Sequence, residues 1–262
     1  MNRKMKNIIV FCFLSLPWGL NAQITGREIM EKLDQVKTPM DIQTQLKMTL
    51  ISLKGGKERR RSRELTSFEK RYEDGQYDKK SLLIFSQPKE VKGSGFLTWD
   101  KVGFKPDDQW LYLPALRKVK RIRSKEKGRS FMGTDFSYED LSGRDINADD
   151  YKLIGEGIIH GSNCNKVKAN PKEKGASYSA RILWVDKQNF LLKRVEFFNN
   201  KGILFKLLDI PDHVKNGEYW TASTMIMKNL NKAHRTELKV LKVDYDQGLK
   251  DNVFTESFMK RN

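Results

Sequence analysis

The sequence predicts an α+β protein, with one amphipathic helix leading into a long antiparallel β-meander. Three observations carry this. Thr25-x-x-Glu28 is a capping-box pattern; it opens a stretch with Ile29, Leu33 and Val36 at helical spacing, which Pro39 ends. From Ile42 the apolar period changes to two. Polar turn signals then recur at hairpin spacing, among them Gly55-Gly56, Asp74-Gly75, Gly161-Ser162-Asn163, Asn199-Asn200-Lys201-Gly202 and Asn216-Gly217. Connections that short join antiparallel neighbours.

Ahead of the helix, Arg3, Lys4 and Lys6 precede an apolar run from Ile8 to Leu20 and then Asn21-Ala22-Gln23. This is the pattern of a secretory signal peptide cleaved after Ala22. The run is shorter than the roughly 20 residues of a membrane-spanning helix. The expected organisation is therefore a signal peptide, 1–22, and one domain, 23–262, with no repeat or low-complexity linker within it. The 262-residue chain has a formal net charge of +17, and the mature 240 residues keep +14. A charge of that size raises nucleic acid first. Outside the cytoplasm the abundant polyanions are lipid headgroups, so an anionic membrane surface in the periplasm is the expected partner and nucleic acid is not. Loss of Cys12 with the leader leaves Cys164 alone, to pack as a small hydrophobe.

In the first strand Ile42, Leu46, Met48 and Leu50 share a face opposite Gln43, Gln45, Lys47 and Thr49. The second carries Arg59, Arg60, Arg61 and Arg63, either a solvated face or a contact with an anionic surface. Strands near 81–86, 95–104, 109–113 and 118–123 follow, broken by Pro88, Gly93 and Lys105-Pro106-Asp107-Asp108. In 109–113, Trp110 and Tyr112 alternate with Leu111 and Leu113, so both faces should be covered, as where a sheet curls around something. Ser137-x-x-Asp140 marks a short helix or lid loop near 137–143. Further strands are expected near 151–160, 163–170, 177–186, 190–199, 202–210, 219–230 and 234–245, with a closing turn at 254–259.

Catalytic chemistry is not visible. His160, His213 and His234 lie in separate segments without metal-ligand spacing. No H-E-x-x-H, G-x-S-x-G or phosphate-loop pattern occurs. Asp107-Asp108, Glu139-Asp140 and Asp149-Asp150 read as solvated turn carboxylates. The expectation is a protein that is not an enzyme and that needs no metal or cofactor.

The segment 109–141 stands apart, because it sets Trp110, Tyr112, Phe131, Phe136 and Tyr138 around a basic run from Arg117 to Arg129. Its motifs W-L-Y-L-P at 110–114, Arg121-Ile122 and F-M-G-T-D-F-S-Y-E-D-L at 131–141 resemble the outer-membrane lipoprotein-sorting (LolA-like) superfamily. The resemblance is to its less characterised branch, often encoded near RND-type exporters. It implies an incomplete antiparallel β-barrel of about eleven curved strands wrapped over a few short helices, with an apolar cavity between. It also implies a periplasmic carrier for lipid or lipoprotein acyl chains; the alternative is a non-transferring interaction module of an RND-type export system. On the carrier reading Trp99, Trp110, Tyr112, Phe131, Phe136 and Tyr138 line or lid the cavity, against plain core packing. Arg117, Arg121 and Arg123 meet headgroups or an acidic partner, against a solvated edge that discourages sheet pairing.

Overall fold

The computed structural model describes residues 24–103 and 105–261. The expected signal peptide lies outside the described residues. Helix α1 (Gly26–Asp34) begins at the expected capping box: Thr25 N donates to the Glu28 carboxylate at 2.7 Å and Glu28 N to Thr25 Oγ1 at 3.2 Å. The strands that follow are β1 (Asp41–Lys54), β2 (Lys57–Arg71), β3 (Tyr77–Gln87), β4 (Gly95–Lys101), β5 (Asp108–Leu113) and β6 (Lys118–Arg121). After a long crossing come β7 (Asp149–Ile159), β8 (Ser162–Pro171), β9 (Ala180–Asp186), β10 (Leu192–Phe198) and β11 (Leu204–Asp209). The chain ends with β12 (His213–Asn216), β13 (Tyr219–Ala222), β14 (Thr224–Asn229), β15 (His234–Tyr245) and the short helix α2 (Glu256–Arg261).

Thirteen strands form one antiparallel sheet in the order β6-β5-β4-β3-β2-β1-β15-β14-β11-β10-β9-β8-β7. The sheet is strongly curved and does not close, since its edges β6 and β7 do not pair. The incomplete-barrel class is as expected. The count exceeds about eleven because even short segments, down to four-residue β6, pair into this one sheet, while β12 and β13 stay outside it. The run expected as a single strand over 219–230 is divided: β13 pairs only with β12 in a separate hairpin, and β14 joins the main sheet after Ser223.

Alternation along the strands sends apolar residues to both faces. On the inner face Leu46, Met48, Leu50, Leu65, Phe85, Phe96, Leu111, Val195, Phe197, Met227 and Leu238 form one core from nearly the whole sheet. Strands far apart in the order can share a cluster only if the sheet bends around it. Helix α1 extends that core over β7–β9 through Ile29, Met30, Val167 and Val185. On the outer face Leu82 and Leu97 are covered by Phe254 and Met259 of the C-terminal tail.

Gly26 sets how closely α1 sits on β7. A Cβ there would lie 2.7–2.9 Å from backbone atoms of Lys152 and Leu153. Backbone cannot swing aside as a side-chain end can, so Gly26→Ala should lower stability by about 1–2 kcal/mol despite alanine's higher helix propensity. Urea denaturation at unchanged m-value measures this.

Candidate functional site

Because β6 and β7 are consecutive in the chain yet sit at opposite edges of the sheet, residues 122–148 must cross from one edge to the other. They do so over the inner face, as a strap. Its centre is a tight hairpin. Ser130 pairs with Ser137, Phe131 N bonds Phe136 O at 2.8 Å and Thr134 N bonds Phe131 O at 2.9 Å. Met132 and Gly133 at the tip have φ of 46° and 76°, the left-handed values a turn of this hand demands.

The hairpin drives its rings into the inner core. Phe131 is 0% exposed and Phe136 4%. Phe131 lies 5.1 Å from the Phe96 ring, 6.1 Å from Phe85 and 5.7 Å from Tyr138, centroid to centroid. Side chains of the strap thus occupy the space enclosed by the sheet.

Polar contacts tether the strap. An Arg63 guanidinium N–H donates to Met132 O at 2.9 Å. Asp135 N donates to Thr236 Oγ1 at 3.0 Å, the Thr236 hydroxyl returns a bond to the Asp135 carboxylate at 2.7 Å, and His234 Nδ1 lies 2.6 Å from the same oxygen. Buried Gln109 donates to Tyr138 O at 2.9 Å and to Ser142 Oγ at 2.6 Å. A further buried tether is Asp140, which accepts from the Tyr178 hydroxyl at 2.8 Å and from the Lys206 ammonium at 2.5 Å. The Lys206 and Asp140 side chains are 5% and 6% exposed, an ion pair taken almost wholly out of water. Burial, with the Asp140 charge beside it, pushes the Tyr178 hydroxyl far above the usual phenol range, so it stays protonated and donates.

Where the strap leaves β6 it borders an open cleft of about 1010 Å³. Lys101, Lys120, Arg121, Arg123, Lys125 and Arg129 line it, with Asp107, Asp108 and Glu126. Asp108 pairs with Lys101 at 2.8 Å and with Arg121, and Glu126 pairs with Lys120 at 2.7 Å. Burial and then the nearby Asp100 carboxylate push Asp107 up to about 6, against the opposing pull of Lys127 at 3.9 Å.

The residues singled out in the sequence fall into three places. Phe131, Phe136 and Tyr138 are together on the inner face. Trp99, Trp110 and Tyr112 are together on the outer face beneath the C-terminal tail, where Trp99 Nε1 donates to Phe254 O at 3.0 Å and its ring lies 4.9 Å from Trp110. Their position is packing against the tail, not the space the sheet encloses. Arg121 and Arg123 share the cleft, whereas Arg117 is exposed on the β5–β6 turn at the other end of the strands. The three histidines stay apart. His160 faces Asp209, His234 faces Asp135, and burial drives His213 down to about 4. Among the described residues, no group of three or more His, Cys, Asp or Glu is placed to hold a metal ion.

A family model described as an uncharacterized protein matches residues 77–261. The crystal structure of a DUF1329 family protein from Desulfovibrio piger aligns with a TM-score of 0.83 at 32% identity, covering 89% of this chain and 97% of that one. A domain assigned to an outer membrane lipoprotein-sorting protein of Vibrio parahaemolyticus gives 0.83 at 31% identity, covering 90% and 98%. The chain belongs to the DUF1329 family. A LolA superfamily protein from Nitrosomonas europaea, 16% identical, shares the fold at a TM-score of 0.70, covering 90% of this chain and all of that one. No curated protein matches the chain.

In this LolA-like chain the tethers Tyr178 and Lys206, and the carboxylate Asp107, escaped sequence reasoning as site residues. Lys206 stands between apolar neighbours in L-F-K-L-L, a lone charge inside a strand, and that is the signal that points to it. Tyr178 carries no comparable mark.

Removing one partner of the buried pair strands the other charge. Lys206→Met should cost about 3–5 kcal/mol, and Asp140→Leu/Lys206→Met should recover most of the loss; chemical denaturation of both variants measures the difference. Asp107 holds its proton up to about pH 6 when folded, whereas the unfolded group releases it near pH 3.9. Its contribution to stability therefore falls as pH rises from about 4 to 6, by at most about 3 kcal/mol. Asp107→Asn should remove that fall. His213 contributes the opposite slope in both proteins, so the difference between their pH–stability curves isolates Asp107.

Proposed function

We propose that the protein is a non-catalytic periplasmic carrier that shelters an acyl chain of a lipid or lipoprotein on the inner face of its sheet. The observation that supports this best is the nature of what fills the space there. It is a strap of irregular backbone, held by a handful of polar contacts, and no strand of the sheet has to part for it to leave. Burying a phenylalanine-sized side chain is worth about 1.5–3 kcal/mol, so Phe131, Phe136 and Tyr138 together give up about 5–9 kcal/mol on withdrawal. A sixteen-carbon chain entering the same space regains on the order of 12 kcal/mol. The exchange is close enough to balance to be reversible, which a carrier requires.

The relatives support the reading by class, since one is assigned to lipoprotein sorting and another to the LolA superfamily. A second reading rests on the same rings: with the space filled, the protein is an interaction module that never takes up lipid, for instance a component of an RND-type export system. The test locks the strap. In Asp135→Cys/Thr236→Cys the new thiols replace a side-chain hydrogen bond 2.7 Å long between strap tip and β15. The oxidised form should take up no fluorescent fatty acid, and the reduced form should take it up like wild type. Equal uptake by both forms rules out withdrawal of the strap. A wild-type protein that binds none, and yields no lipid on solvent extraction from its host, establishes the module.

A further inference from the structure

The antiparallel order puts the strand connections at two ends of the sheet, and the ends differ in charge. At one end lie the connections 88–94, 114–117, 172–179, 199–203 and 230–233, with the β1–β2 hairpin, whose first β2 residues 57–61 extend past the neighbouring strand. Together they carry eleven lysines and arginines against three glutamates, and all eleven cations are exposed. At the other end the connections 35–40, 72–76, 102–107, 160–161, 187–191, 210–223 and 246–250 carry five cations against six carboxylates. The basic stretch of the strap, 123–129, lies at this second end, where Lys127 pairs with Asp107 and Arg129 with Glu126.

The basic end also exposes apolar side chains at its turns. Leu53, Ile203 and Leu230 are 52%, 54% and 50% exposed. They form one row on adjacent turns: Leu53 N bonds Ala233 O and Leu230 N bonds Phe205 O. Arg59, Arg61, Lys201 and Lys232 stand beside them. Large apolar groups presented to water among exposed cations match a bilayer interface, where the apolar groups enter the acyl boundary and the cations meet anionic headgroups.

We propose that this end of the sheet, the β1–β2 hairpin with the β10–β11 and β14–β15 turns, docks on the surface of an anionic bilayer. The strap tip reaches the same end, since Asp135 meets His234 and Thr236 at the start of β15. Docking would therefore set the tip facing the lipid. The inference does not require that an acyl chain be carried, and its test reads docking alone.

The mature protein is sedimented with vesicles of phosphatidylcholine, with and without about 30% phosphatidylglycerol. It should bind only the anionic vesicles and leave them at about 0.5 M salt. Arg59→Glu/Arg61→Glu/Lys201→Glu/Lys232→Glu should weaken binding by several hundredfold, at about fivefold per lost cation. Leu53→Ser/Leu230→Ser should weaken it while leaving its salt dependence in place. The control Lys105→Glu/Lys187→Glu/Lys215→Glu/Lys250→Glu makes the same change in net charge at the other end and should retain most of the binding. Circular dichroism establishes that each variant is folded. Equal loss in the two fourfold variants, or no binding to anionic vesicles, overturns the proposal. Salt-sensitive self-association without vesicles, seen by sedimentation velocity and lost in the first variant, overturns it in favour of head-to-tail pairing of copies. The oxidised Asp135→Cys/Thr236→Cys protein should still bind vesicles, so a failed carrier reading and a failed docking surface give different results.

Discussion

The structure depends on one constraint of connectivity. Two strands that follow each other in the chain occupy opposite edges of a sheet that does not close, so the segment between them has to cross the hollow. An antiparallel meander makes its other connections between neighbouring strands, by turns and, from β11 to β14, through the small β12–β13 hairpin. This one cannot be a turn, and once it enters the inner face its backbone and side chains must be satisfied there. The ring cluster of Phe131, Phe136 and Tyr138 answers the apolar part of that demand, and the contacts to Arg63, Gln109, Tyr178, Lys206 and Thr236 answer the polar part.

Those two answers have different consequences for the strap. Apolar contact is non-directional, and another hydrocarbon can replace it. The Lys206–Asp140 pair is directional and expensive to separate once out of water, so it fixes where the strap rests more than how stable the molecule is. The contacts of the hairpin tip are no shallower: Thr236 is 0% exposed and the Asp135 side chain 4%, and only Arg63 and Met132 are half-buried.

Much of the fold was legible because its signals are local. The capping box at Thr25 and Glu28, the change of period at Ile42 and the two-sided apolar pattern of Trp110 to Leu113 each sit within a few residues, and each has its counterpart in the structure. Alternation, however, separates two faces without saying which one is concave. Trp99, Trp110 and Tyr112 went to the face covered by Phe254 and Met259, and that choice is made by a tail more than 140 residues away. The partners of Asp140 were hidden for the same reason, with Lys206 lying 66 residues further along the chain. The division of 219–230 into two strands had no mark in its apolar pattern, because Tyr219 to Asn229 alternates acceptably as one run.

The middle of the sheet is where its first and last strands meet. Strand β1 pairs with β15 from Ile42 opposite Tyr245 to Ser52 opposite His234, so one of the longest ladders joins residues about 180 to 200 positions apart. Closing so large a loop before any contact rewards it is entropically slow. A ribosome delivers β1 long before β15, and through that interval β1 waits with one side of its backbone unpaired and its apolar residues uncovered. The fold therefore carries a period of vulnerability to aggregation set by its own topology, and a holding chaperone would find its binding site in the first β-hairpin.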